Sequence, residues 1–321
     1  MAEWKDGIAK IVLPTPFAVG DVNVFVVKGD RLTLVDVGPK TEEAWEALNI
    51  QLKDLELTIN DIEQVVLTHH HPDHAGLLEF FPSSIDVYGH WLNERWLFRT
   101  EAFLKAHDAF YYELFTKLGI PEQYLALIPL LKKSLRYSCN RSLTGELTEG
   151  DKPPGLDNWT VIETPGHAQS HIGLFREKDG VYIAGDHLLA HISPNPLLEP
   201  PLPGKIERPK PQLQYNESLK KLLPLPIQLV YTGHGDEIYD VNELIEKRLA
   251  RQHDRAMHVR KWLETEALTV FEICQRLFPA VYERELSLTI SETIAQLDYL
   301  HSLGEIYINK EQKAFVYTAV K

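Results

Sequence analysis

The stretch that decides the reading is Val65-Val66-Leu67-Thr68-His69-His70-His71-Pro72-Asp73-His74. It opens as a short apolar strand and runs straight into metal-ligand side chains in the pattern H-x-H-x-D-H, at His69, His71, Asp73 and His74. In an extended loop leaving a strand, residues i and i+2 point the same way, so His69 and His71 address one point. Asp73 and His74 fall where a helix should begin, carrying Leu77, Leu78 and Phe81, and they address a second point nearby. Imidazole and carboxylate are the donors of zinc, iron and manganese sites. A solvated loop can carry a histidine cluster by chance, but the whole run sits at the end of a buried strand, which argues for ligands.

Three later residues fit the same logic. His167 stands in Thr164-Pro165-Gly166-His167, Asp186 in Ala184-Gly185-Asp186-His187, and His234 in Gly233-His234-Gly235. Each is weak alone, since a lone histidine is more often structural. Together they place every candidate just past a β-rich segment, where the loops at one sheet edge converge. Of the 14 histidines, nine lie in 69–74, 167–171, 187–191 and at 234, so the clustering is not diffuse.

The remaining sequence reads as α/β. Strands are expected at Ile8–Leu13, Val22–Val27, Leu32–Val35, Val65–Leu67, Ile85–Tyr88, Thr160–Glu163, Ile172–Phe175, Val181–Ala184 and Gln228–Tyr231. Thr41 reads as an N-cap, with Glu42 and Glu43 in the first turn and Trp45, Leu48, Leu52 and Leu55 at helical spacing. Residues 91–137 interrupt the rhythm as a long helical insertion holding ten of the chain's 31 aromatics. Seven prolines in 193–211 forbid regular structure there, and a helix resumes at Tyr215–Leu223. After residue 240 come helices over Val241–Glu264, Thr269–Leu277 and Thr289–Leu303, then a hairpin of Glu305–Asn309 and Lys313–Thr318.

On these residues the chain resembles the metallo-β-lactamase-fold hydrolases over roughly residues 8–240, with Asp36, the H-x-H-x-D-H run, His167, Asp186 and His234 in the family's order. The resemblance implies an α/β fold, an αββα sandwich with a helical insertion, for residues 1–240. Residues 241–321 resemble the small winged-helix-like domain appended to some members. It further implies two divalent metal ions, zinc first, with iron or manganese as alternatives. One would be held by His69, His71 and His167, the other by Asp73, His74 and His234, with Asp186 shared and Asp36 orienting the site from behind. Two such ions less the charges of Asp73 and Asp186 leave a positive centre, which favours a bridging hydroxide because coordination lowers the pKa of water from ~15.7 towards ~7. Asp73 is the candidate proton donor to the leaving group. His187 and His191 could assist or simply pack.

Composition narrows the substrate. Lys and Arg number 33 against 46 Asp and Glu, a net charge of −13, which suits small molecules better than nucleic acid or anionic membrane. Two widely separated cysteines exclude a disulfide framework. Glu3, Lys5, Asp6 and Gly7 stand where a signal peptide needs an apolar core, so a cytoplasmic location is expected. His71, where the fold's flavodiiron oxidoreductases have a carboxylate, disfavours redox chemistry. The absence of tyrosine in 187–196 disfavours an acylhomoserine lactonase. Hydrolysis of a small ester, thioester, lactone or phosphoester remains, with the insertion as a lid whose aromatics line an acyl pocket. The competing reading is a nucleic-acid protein using the C-terminal module. Residues 241–321 carry 11 Lys/Arg against 12 Asp/Glu, and Thr289–Leu303 has neither Lys nor Arg, which argues against it. The module is expected to pack on the hydrolase or on a second copy in a homo-oligomer.

Overall fold

The computed structural model describes residues 2–321. Strands β1 (Trp4–Lys5), β2 (Ile8–Leu13), β3 (Val22–Val27), β4 (Thr33–Val35), β5 (Gln64–Leu67), β6 (Asp86–Gly89) and β7 (Gly145–Glu146) form one sheet in that order. Its pairs are antiparallel up to β3–β4 and parallel from β4–β5 onward. Strands β8 (Thr160–Glu163), β9 (Ile172–Arg176), β10 (Val181–Ile183) and β11 (Leu229–Tyr231) form a second sheet in the order β11-β10-β9-β8, with β10 and β11 parallel. The helices are α1 (Glu42–Asp54), α2 (Pro72–Ala75), α3 (Glu94–Leu97), α4 (Glu101–Lys117), α5 (Glu122–Leu125), α6 (Pro211–Leu222), α7 (Val241–Leu263), α8 (Val270–Leu277) and α9 (Leu286–Ser302). Among the described residues none is long and apolar enough to cross a membrane.

Alternation along the strands builds the layers, because successive side chains leave opposite faces. Val22, Val24 and Val26 of β3 pack outward with Leu48 and Leu52 of α1. Phe25 and Val27 pack inward with Val161, Leu174 and Ile183 of the second sheet. Phe175 and Tyr182 then face out onto Tyr215, Leu219 and Leu222 of α6. The order is helix, sheet, sheet, helix. Strands buried on both faces read as unbroken apolar runs, which is why they were legible. Thr41 caps α1 as expected, accepting from the Ala44 N–H at 3.2 Å.

The insertion is helical, as its composition predicts, but in pieces. It is α3, α4 and α5 joined by turns, with tight 3₁₀ turns over Ile128–Tyr137. Helix α4 stops at Gly119, whose φ of +76° lets the Gly119 and Ile120 N–H groups turn back onto the Thr116 and Phe115 carbonyls. Pro121 then directly precedes α5, and Pro129 stands in the first turn of the 3₁₀ stretch. Pro211 likewise occupies the first turn of α6, where its missing N–H costs nothing, so that helix begins four residues before Tyr215. Helix α9 also begins earlier than expected, at Leu286, three residues before Thr289.

Beyond α7, α8 and α9 the chain ends in a hairpin of β12 (Ile306–Asn309) and β13 (Val316–Ala319), with Leu268 bridged to Tyr317. These C-terminal elements share a core with the insertion. Phe115, Leu118, Ile120 and Leu198 pack with Ile273, Ile294, Leu297 and Leu300 in one apolar cluster. Helix α7 joins this cluster to the sandwich, since Val241 and Ile245 pack with α6 while Val259 and Leu263 pack with the C-terminal helices. The proline-rich segment is fastened to α9 by a two-pronged Arg208–Asp298 ion pair, both contacts 2.7 Å, and by the Leu198 N–H donating to Ser291 Oγ at 3.1 Å.

A shared core makes a stability prediction. Phe115→Ala should cost about 3–5 kcal/mol, as large buried aromatics do. Limited proteolysis should then open the insertion and the C-terminal helices together. Independent cleavage of only one of them would contradict the shared core.

Candidate metal centre

Seven donors meet at the carboxyl ends of the strands. His69 and His71 follow β5, and Asp73 and His74 lie in the first turn of α2. His167 follows β8, Asp186 follows β10, and His234 follows β11. Their ligand atoms form three mutually close groups, each within 4.8 Å: His69, His71 and His167; His69, His74 and Asp186; Asp73, His74 and His234. Asp186 lies between the two trios, with Oδ2 at 3.4 Å from His167 Nε2 and 3.6 Å from His234 Nε2, and Oδ1 at 3.4 Å from His74 Nε2. Every candidate ligand read from the sequence is at this one place.

The far ring nitrogens decide which atoms face inward. His74 Nδ1–H donates to Asp36 Oδ2 at 2.8 Å, His167 Nδ1–H to the Asn195 carbonyl at 3.0 Å, and His234 Nδ1–H to the Asp21 carbonyl at 2.8 Å. His69 Nδ1–H donates to Thr68 Oγ1 at 3.0 Å, because the Thr68 hydroxyl proton is already given to Asp36 Oδ2 at 2.8 Å. Each of these rings therefore turns its Nε2 into the centre. His71 presents Nδ1, which lies 2.9 Å from His69 Nε2 and 3.0 Å from His167 Nε2.

Three of these inward atoms, His74 Nε2, His234 Nε2 and Asp186 Oδ1, are buried with no hydrogen-bond partner. Buried polar atoms are rarely left so. Burial, reinforced by neighbouring imidazoles, holds His69 and His71 well below the usual histidine range, so they are neutral donors. Burial also opposes charge on His74, but Asp186, Asp36 and Asp73 outweigh it and raise its pKa well above the usual value. At His234 burial is likewise outweighed, by Asp186 and Asp73, and the pKa rises to about 10. The carboxylate side draws positive charge. Unpartnered buried polar atoms, a field that favours positive charge and a His/Asp set of side chains all fit divalent metal.

Small residues make the room. A Cβ at Gly233 would stand 2.3 Å from Asp186 Oδ1 and 3.0 Å from His74 Cε1. Gly185 has φ +48°, and a Cβ there would meet Thr68 Oγ1 at 2.7 Å and His171 Nε2 at 2.9 Å.

The sequence reading left His171 and Thr68 without roles. His171 Nδ1–H donates to Thr164 Oγ1 at 2.8 Å, and its Nε2 accepts the Asp186 N–H at 3.1 Å, which fixes the loop that presents Asp186. Its signal was its position four residues after His167, at the mouth of β9. His187 and His191 are not in the centre. Burial, with Arg248 nearby, holds His187 down at about 3, and exposed His191 pairs with Asp236 at 2.8 Å.

A helix–sheet–sheet–helix fold with this histidine and aspartate cluster defines a class. Residues 18–234 match the Metallo-beta-lactamase superfamily, and the chain belongs to it; it is a metal-dependent hydrolase. It is 48% identical over 297 residues to the probable metallo-hydrolase YqjP of Bacillus subtilis (strain 168), across 92% of this chain and 93% of that one. A metallo-beta-lactamase family protein of Thermus thermophilus superposes with a TM-score of 0.82 at 28% identity, covering 98% of this chain and 99% of that one. A beta-lactamase domain protein from Burkholderia ambifaria shares the fold, with a TM-score of 0.76 at 22% identity over 99% and 93% of the two chains. Both superpositions run through the C-terminal helices as well as the sandwich.

The glycine cradle is directly testable. Gly233→Ala should leave circular dichroism unchanged yet lower the retained metal, since a methyl there collides with Asp186. Full metal content in that variant would show that the cradle can yield.

Proposed function

We propose that the protein is a dinuclear hydrolase of small ester-like substrates, an ester, thioester, lactone or phosphoester, with zinc as the first candidate metal. The observation that carries this is Asp186 standing between two histidine-rich trios, within 3.6 Å of a ring nitrogen on either side. His69, His71 and His167 would hold one ion, Asp73, His74 and His234 the other, and Asp186 both. Bound there, two divalent ions would supply a hydroxide nucleophile at neutral pH and an electrophile for the oxygen that gains charge. The chain's own residues do the rest. Asp36 and Thr68 fix ring orientations, His171 positions Asp186, and Asp73, which is 8% exposed, would take the proton of the attacking hydroxide and pass it to the leaving group.

The neighbouring cavity, of about 210 Å³, supports an acyl pocket beside His71. Trp96 and Tyr111 come from the insertion, Leu197 and Leu198 from the proline-rich segment, and Leu288 and Ser291 from α9. Trp96 stacks on His70 at 4.7 Å, and its indole N–H donates to buried Glu199 at 3.1 Å, so the wall is rigid. The volume lies below the ~300–1,000 Å³ of drug-sized pockets, which favours a short acyl or aryl group.

We read residues 241–321 as a winged-helix-like module that has become part of this wall, in a cytoplasmic enzyme. Its helix α9 would be the one to enter a DNA groove, but Ile290, Ile294, Leu297 and Leu300 are buried and Leu288 and Ser291 line the cavity. Burial on that scale leaves little of the helix for a groove, which favours the small-molecule reading.

Elemental analysis of purified protein should find about two metal ions per chain, as in other two-metal sites. Asp186→Ala should lose at least one ion and nearly all hydrolysis across a panel of the four substrate classes. A chelator-resistant, fully active Asp186→Ala enzyme would sink the dinuclear reading. Trp96→Ala should keep its metals while raising kcat/KM for bulky over small acyl groups by about tenfold, the scale of a pocket enlarged by a side chain. Unaltered relative rates would show that the insertion does not line the substrate.

A further inference from the structure

A second, larger cavity of about 620 Å³ lies on the other side of the 193–198 segment, between α6, α7 and α9. Its charge is opposite to that of the molecule. Lys247, Arg248, Arg251 and Arg255 of α7 line it against one carboxylate, Glu292, in a chain of net charge −13. Spacings of three and four along α7 put these side chains on one face of the helix. Two of the four are already matched, Lys247 by Glu243 and Arg255 by Glu292. The other two are not.

Arg248 is 8% exposed, yet all its partners are neutral: the Tyr215 hydroxyl at 3.2 Å, the Ile192 carbonyl at 2.6 Å and the Leu189 carbonyl. A buried guanidinium held only by neutral oxygens still favours a nearby counter-ion. Arg251, one helical turn on, has no ion-pair partner among the described residues and stands at the opening. Amide side chains of Gln212, Asn216 and Gln252 complete the walls. Asn195 Oδ1, also at the cavity, is a buried acceptor with no donor. A ligand with an anionic group supplies the counter-ion that Arg248 and Arg251 lack.

We propose that this cavity is an anion subsite for the substrate, taking a carboxylate or phosphate group while the scissile bond lies at the metal centre. Asn195 stands in the wall between the two places: it lines the cavity, and its carbonyl accepts His167 Nδ1–H at 3.0 Å. Leu288 is a second shared wall residue, lining both this cavity and the acyl pocket. The hydrolase's substrate is then a bifunctional molecule: a short acyl or aryl ester-like group at one end and a carboxylate or phosphate at the other. This rests on the proposed reaction for the substrate half and on Arg248 and Arg251 for the anion half.

The test uses the full-length metal-loaded protein and separates the two halves. Calorimetry with pyrophosphate and with succinate measures the cavity without any reaction, and the better of the two names the anionic group. Binding should weaken as salt is raised and fall by about tenfold in Arg251→Glu, with metal content unchanged. Arg248→Gln is the deeper variant and is read only if its melting transition is intact. In kinetics, an ester ending in the preferred anion should be favoured over its neutral isostere, and that preference should drop about tenfold in Arg251→Glu. If neither anion binds, or if binding is indifferent to Arg251→Glu, the anion subsite is wrong. If anions bind as stated but no substrate class is hydrolysed, the cavity stands and the proposed reaction falls instead.

Discussion

The carboxylate of Asp36 is the constraint on which the rest of the centre depends. One oxygen accepts the Thr68 N–H at 2.8 Å, and the other accepts both the Thr68 hydroxyl and His74 Nδ1–H at 2.8 Å. Its backbone is left-handed, φ +59°, a conformation that costs a non-glycine residue roughly 1–3 kcal/mol. Three hydrogen bonds to a buried carboxylate, each worth about 1.5–3 kcal/mol, more than offset it. Through Thr68 the group sets the proton of His69, and through its own bond it sets that of His74. One residue in each proposed trio is therefore aimed by Asp36.

The wider architecture serves the same end. Strands β4, β5, β8, β10 and β11 all deliver their next residues to one edge, so donors distant in sequence become neighbours. Glycines at 185 and 233 let the loops close on Asp186, and His171 holds that loop from below. Around the rim, the insertion, the proline-rich segment and the C-terminal helices share one apolar core and wall the apolar cavity, while the cationic one lies between α6, α7 and α9. Such a rim can set substrate choice without touching the donors.

Much of this was legible because the physics was local. Buried strands such as Val22–Val27 are unbroken apolar runs, Thr41 is a capping residue followed by two acids, and the H-x-H-x-D-H run has its own spacing. The rest depended on partners the sequence does not name. Ten aromatics in 91–137 mark a helical insertion, but not where it divides, at Gly119 and the prolines after it, nor that its apolar face belongs to α8 and α9. Pro211 looked like a barrier and is a helix first-turn residue. His171 and Asn195 act through a backbone N–H and a backbone carbonyl, contacts that leave no side-chain pattern to read. Arg248 looks ordinary in sequence; only its burial among carbonyls makes it a charge in want of a partner.

The most direct measurement is anomalous X-ray scattering from crystals of the purified protein, collected at and below the absorption edge of the metal found in it. A dinuclear centre predicts two peaks about 3.5–4 Å apart, one among His69, His71 and His167 and the other among Asp73, His74 and His234, with Asp186 between them. A single peak, or peaks elsewhere with Asp186 turned away, would contradict it.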